Sequence, residues 1–185
     1  MILNKWGCFP ITRPSIDLLE DNERAILTKP FVYLRPECPA EGRPVQIWMA
    51  LPGLEFDGES KPFWYWPVGG GRYQGPGRLA AIIHDEYCHR GRDLSNSPYA
   101  SGQVHRVYYE AARCAGLHAI RAESRWLGVR SAGPRFARNP GEQQYTLEHL
   151  RTLAPTGYAA LSQALAPEGL TEETLPLLFG AKEAA

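Results

Sequence analysis

The hydrophobic pattern divides the chain into stretches of different period. From Ala25 to Phe56, apolar residues come in short dense runs, AILTKPFVYL and VQIWMALPGLEF, separated by the Pro-rich break RPECPAEGRP. Short runs rich in β-branched and aromatic residues and bounded by Gly and Pro predict strands, and the simplest arrangement is a small antiparallel sheet. The next segment, DGESKPFWYWPVGGGRYQGPG, has too many Gly and Pro for regular structure and too many aromatics for a solvated linker. It reads as an ordered loop.

From about Gly77 the period becomes helical. Leu79, Ile82 and Ile83 recur at helical spacing within LAAIIHDEYCH, and Gly91 follows as a stop. Ser97-Pro98 reads as an N-cap and first-turn Pro of a second helix, which carries Val104, Val107, Tyr108 and Ala111 as far as Gly116. The short connection predicts an antiparallel pair. A third helix, His118 to Val129, bears Ile120, Trp126 and Leu127. Beyond Pro134 the polar break RFARNPGEQQ precedes short amphipathic runs, YTLEHLRTLA, GYAALSQALA and EETLPLLFGA, split by Pro155, Pro167 and Pro176. The expected fold is therefore α+β: a small antiparallel sheet, an antiparallel helix pair and a third helix within residues 1–133. A helical C-terminal appendage, residues 134–185, either docks on that domain or orders on a partner.

Composition narrows the field. A chain of 185 residues accommodates one domain with an apolar core. Its 20 basic and 20 acidic residues balance, so no global charge draws it to nucleic acid or an anionic membrane. No stretch approaches the roughly 20 apolar residues of a membrane span, and MILNKWGCFPITRP lacks the order of a signal peptide. The expectation is a soluble protein without its own export signal. Cys8, Cys38, Cys88 and Cys114 form no Cys-x-x-Cys pair, so they read as reduced thiols behaving as small hydrophobes.

Chemistry concentrates in AAIIHDEYCHRGRD. At about 100° per residue, His84 and Cys88 share one helix face, Asp85 and His89 the next, and all four fall in an arc of about 140°. An antiparallel second helix brings His105 close, with Tyr108 and Tyr109 beside it. Two chemistries fit. In one, His84 is a general base and Asp85 coordinates a calcium ion, with carbonyls of Gly69, Gly70 and Gly71 completing the shell. In the other, histidines with Asp85 or Cys88 bind a transition metal such as zinc. The glycines also read simply as a loop, Tyr108, Tyr109 and Trp126 as core, His89 as solvated helix end, and His118 and His149 as surface or capping residues.

Pro52, Gly53, Asp57 and Ser60, the Trp/Pro/Gly loop, AAIIHDEYC and HRVYYEAA occur in an order that resembles a family of small uncharacterised domains encoded mainly by tailed bacteriophages and prophages. The resemblance covers roughly Ile26 to Arg130. That family in turn looks like secreted phospholipase A2 around its paired helices. The resemblance implies His84 as base and Asp85 as calcium ligand, with Cys88 where a Tyr is expected and His105 where the second-helix Asp is expected. A neutral imidazole stabilises an imidazolium far less than a carboxylate does.

The expected function is a phage-encoded metal-dependent hydrolase, with catalytic residues His84, Asp85 and His105 and metal ligands Asp85, His89, Gly69 and Gly71. Calcium is the expected ion and zinc the alternative. The substrate class is a lipid-type ester or another cell-envelope bond. A non-catalytic virion or assembly protein, contacting other phage structural proteins through the appendage, is the rival, and a zinc-dependent cell-wall amide hydrolase the third reading. The expected location is host cytoplasm or virion.

Overall fold

Two strands with apolar residues on both faces organise the molecule. The computed structural model describes residues 5–20, 24–36, 45–58, 75–88 and 97–165. Within them β3 (Phe31–Pro36) and β4 (Val45–Ala50) pair antiparallel, with Tyr33 opposite Trp48 and Leu34 opposite Ile47. Side chains alternate across a strand. Phe31, Tyr33, Trp48 and Ala50 therefore enter one core, while Val32, Leu34, Ile47 and Met49 enter another. Covering on both sides explains why these runs read as continuous apolar stretches.

The main core is closed by three helices, α1 (Gly77–Cys88), α2 (Ser101–Cys114) and α3 (Ala119–Ala132). Its aromatic centre has the Trp48 ring stacked on Tyr99 at 3.9 Å, with Tyr87 edge-on to Trp48 at 4.9 Å. Phe9 stacks on Phe31 at 5.4 Å. Arg35 joins β3 to α2 through a two-pronged ion pair with Glu110, at 2.5 and 3.3 Å. On the opposite face, α4 (Leu147–Leu153) and α5 (Pro155–Leu165) bring Leu150, Ala154 and Leu161 against the ribbon. Of the two expectations for the appendage, docking describes this part; the run EETLPLLFGA lies outside the described residues.

The edges of the ribbon are occupied as well. Cys8 exchanges backbone hydrogen bonds with Leu34 at 3.0 and 2.9 Å, and Tyr145 bridges to Ile47. Gly7 permits the first of these contacts: its φ is +99°, and a Cβ there would lie 2.1 Å from the Leu34 carbonyl oxygen. A second sheet, of order β1-β2-β5, comprises Ile16–Leu18, Ala25–Leu27 and Glu55–Phe56.

The α+β class holds, with three local differences. Two small sheets replace one, because the run AILTKPFVYL breaks at Lys29-Pro30, where Pro offers no N–H to a ladder. Strand β1, Ile-Asp-Leu, is mostly exposed and at three residues too short for its alternation to stand out in the sequence. Helix α2 starts at Ser101 rather than just after Ser97, with Ala100 at the N-cap and no side-chain cap. Ser97 turns its hydroxyl to the main chain of Tyr99, accepting from its N–H at 3.3 Å and donating to its carbonyl at 2.8 Å. His149 does act in a cap: its Nδ1 accepts from the Thr146 N–H at 3.1 Å, completing a capping box.

Docking of α4 has a measurable consequence. Leu150 is fully buried and Leu153 is 43% exposed on the same helix. Leu150→Ala is expected to cost about 2–5 kcal/mol in urea unfolding, and Leu153→Ala less than about 1 kcal/mol. Equal effects would mean that the appendage does not pack on the ribbon in solution.

Candidate metal centre

Helix α1 is buried along its whole length from Leu79 to Cys88, including His84, Asp85 and Glu86. Polar groups on a buried helix are costly unless paired. Glu86 accepts from the Leu51 N–H at 3.3 Å, and the Tyr87 hydroxyl lies against the main chain of Met49. These contacts fix the rotation of α1 on the ribbon. That rotation turns His84 and Cys88, one helical turn apart, toward α2.

His105 on α2 meets them. His84 Nε2 lies 3.0 Å from His105 Nδ1 and 3.5 Å from Cys88 Sγ. Tyr108, one turn along, presents its ring edge-on to His84 at 5.3 Å. Cys88 and His84 thus face His105 and then Tyr108, the order that an antiparallel pair gives. One donor atom each from His84, Cys88 and His105 falls within 4.8 Å of the others. A tetrahedral zinc ion spaces two nitrogens by about 3.3 Å and a nitrogen and sulfur by about 3.6 Å, from its bond lengths. The two separations from His84 Nε2 are near these values, and the His105 nitrogen and Cys88 sulfur lie within 4.8 Å of each other.

The surrounding contacts are equally specific. His84 Nδ1 is 3.4 Å from Asp85 Oδ1, and His105 Nε2 donates to the Pro134 carbonyl at 3.3 Å. Pro134 follows the last turn of α3, where the Gly133 N–H bonds to the Val129 carbonyl at 2.8 Å. The segment continues back along α2, with Ser101 N–H bonded to Phe136 carbonyl and Asn139 N–H to Ser97 carbonyl. His84 and His105 are 5% and 1% exposed beneath it.

Burial also sets the electrostatics. It lowers the His84 pKa to about 4, and burial with the neighbouring His84 lowers that of His105 to about 4. Burial, then the charge of Asp85, pushes the Cys88 thiol up to about 12. A thiol so disfavoured as thiolate is a poor free nucleophile, and it ionises readily only against a cation.

Of the sequence-predicted site residues, the structure brings His84 and His105 together and places Asp85 against the far nitrogen of His84. His89, Gly69, Gly70, Gly71 and Ser60 lie outside the described residues. Cys88, which belongs to the zinc alternative, joins the two histidines; its signal was the four-residue spacing from His84. The Pro134 carbonyl had no signal, because main-chain groups carry no residue-type signature. Glu110 serves the Arg35 ion pair, Tyr108 the core, and Trp126 is half-buried beside Tyr109 at 6.2 Å.

Fold and site together define an α+β domain that carries a buried imidazole–thiol cluster between paired helices. Residues 28–129 match a family described as "Protein of unknown function (DUF1353)", and the chain belongs to it. It is also similar to "Uncharacterized protein y4jT" of Sinorhizobium fredii (strain NBRC 101917 / NGR234), 28% identical over 87 residues, 47% of this chain and 24% of that protein. The matched part is therefore about a quarter of that relative's length. No solved structure matches the chain.

The lowered histidine pKa values have a definite sign. Between about 4 and the ordinary 6.5, the unfolded chain binds protons that the folded pair refuses. Stability then falls as pH drops from 6.5 toward 4 and levels off below. Asp85, Cys88 and Arg135 are the other ionisable groups that bear on this pair. For chelator-treated protein, urea melts at pH 7 and pH 5 are expected to show a loss of up to about 1.4 kcal/mol per pH unit per histidine. His105→Gln should flatten that slope, and an unchanged slope would assign the titration to other groups.

Proposed function

We propose that this protein is a metal-dependent hydrolase of acyl bonds, with its ion held by His84 Nε2, His105 Nδ1 and Cys88 Sγ. The observation that carries the reading is the convergence of these three donor atoms within 4.8 Å of one another. Imidazole and thiolate donors suit a zinc-class ion better than calcium, which takes oxygen ligands. Calcium at Asp85 with loop carbonyls remains the less favoured form of the same proposal. The three donors among the described residues leave one position of a tetrahedral ion, and water there would give the coordination of a catalytic rather than a closed site. Such an ion supplies an acidified water and polarises a carbonyl.

The substrate reading follows from the same chemistry. Lipid esters, as in the resemblance to secreted phospholipase A2, and amide bonds of the cell wall both react by attack of water on an acyl carbon. A phage setting for the protein rests on the resemblance to tailed-phage domains. His84 and Asp85 stay at the centre of the proposal, with His84 as ligand and Asp85 beside it.

A second reading is supported by the burial of the cluster. His84 and His105 are nearly inaccessible, as ligands of closed structural zinc sites are. In this reading the ion stabilises a non-catalytic virion or assembly protein, and the appendage meets other phage proteins. Co-purification with particles and absence of turnover favour it.

Purified protein is expected to carry about one equivalent of zinc by elemental analysis. His105→Ala should lose the metal and reduce hydrolysis of a phospholipid ester or a muropeptide amide by more than about a hundredfold. Wild-type protein that neither holds nor takes up zinc would sink the metal reading. Metal without turnover of either substrate supports the structural one.

A further inference from the structure

We infer that Asp85 and the Gly133–Pro134 segment are positioning groups of this centre: they determine which ring nitrogen each histidine presents to the ion. The inference rests on the metal reading proposed above.

The argument begins with hydrogen-bond polarity. A carbonyl oxygen only accepts, so the contact of His105 Nε2 with the Pro134 carbonyl at 3.3 Å places a hydrogen on Nε2. Neutral His105 then has a lone pair at Nδ1. With Asp85 ionised it likewise only accepts, and the 3.4 Å contact then places a hydrogen on His84 Nδ1 and a lone pair on Nε2. In that state two lone pairs face each other across the 3.0 Å between His84 Nε2 and His105 Nδ1. The Cys88 thiol, 3.5 Å from His84 Nε2, can donate its single hydrogen to one of them.

Something electropositive belongs between these atoms. A shared proton would make an imidazolium in a buried site that disfavours it, whereas a cation satisfies both nitrogens and the sulfur at once. Donation from a metal-bound imidazole to a carboxylate or a carbonyl is the arrangement that orients metal-bound histidines in general. Here one histidine uses each type of acceptor. Asp85, expected from the sequence as an ion ligand, is thereby assigned to the side of the ring away from the ion.

Gly133 belongs to the same device. A Cβ on it would lie 2.9 Å from His105 Cε1 and 3.3 Å from His105 Nε2, as well as 2.3 Å from the Val129 carbonyl oxygen. Its φ of −72° is ordinary, so the requirement is space and not backbone conformation. The absent side chain lets the main chain reach the imidazole edge and deliver the Pro134 carbonyl.

Cobalt titration of the full-length apoprotein tests the assignment, with affinity and spectrum read together. Wild type should bind one equivalent with tetrahedral ligand-field bands and a thiolate-to-cobalt charge-transfer band. Cys88→Ser should abolish that band. Asp85→Asn and Asp85→Ala should keep the wild-type spectrum and weaken binding roughly tenfold to a hundredfold, Ala more than Asn, with Asp85→Glu restoring part of the loss. Gly133→Ala should weaken binding in the same range. If wild type binds no cobalt, the metal reading itself fails. If wild type binds and the Asp85 variants bind equally well, the positioning role alone fails. A changed ligand-field spectrum in Asp85→Ala makes Asp85 a direct ligand and overturns the assignment. Asp85→Asn, which preserves shape and an acceptor oxygen, decides the matter if the Ala variant does not fold.

Discussion

Burial of the β3–β4 ribbon on both faces is the constraint from which the rest of this structure follows. A two-stranded ribbon is barely stable alone, and one with eight apolar residues divided between two faces needs a cover on each. Helices α1 to α3 supply the first and α4 with α5 the second. The segment between α3 and α4 therefore has to travel from one side of the ribbon to the other. Its route passes the N-terminal end of α2, and that is where Pro134 meets His105.

The imidazole–thiol cluster sits within the layer that this packing creates. Tyr87 and Glu86 hold α1 against the end of β4, which leaves its next face for α2. A buried His, Cys and His in contact would weaken an ordinary core, since apolar residues of equal volume fill such space at lower cost. Their hydrogen-bond pattern leaves two nitrogens and a sulfur directed at one another. In the metal reading proposed above, a cation compensates that desolvation. Asp85, on the same buried helix, has its carboxylate 3.4 Å from Nδ1 of the neighbouring ring.

Much of the fold was legible because hydrophobic period records burial. Helix α1 begins at Gly77 as its spacing of Leu79, Ile82 and Ile83 requires, and α2 carries Val104, Val107 and Tyr108 inward. The break at Pro30 and the short strand β1 were less legible: the first depends on which side of a ladder a missing N–H falls, and the second spans three residues, with Ile16 alone packed on the core. Ser97 illustrates local competition, since its hydroxyl serves a turn rather than the helix that begins four residues later. Within the site, His84 and Cys88 were recognisable as one-turn neighbours, and His105 as their counterpart across an antiparallel pair. The contributions of Gly133 and Pro134 were not, because one acts through an absent side chain and the other through a carbonyl that every residue possesses.

By itself the sequence determined which residue types could do chemistry, and that they lie on two facing helices. Helical period and residue type are local properties, and they suffice for that much. Only the tertiary structure decided that Cys88 stands beside both histidines, and that Asp85 addresses the far edge of the His84 ring. The rotation of a helix about its axis is set by what it packs on, here Leu51 and Met49 at the end of β4. The nitrogen a histidine presents is set by the acceptor at its other edge, and for His105 that acceptor comes from a segment 29 residues away.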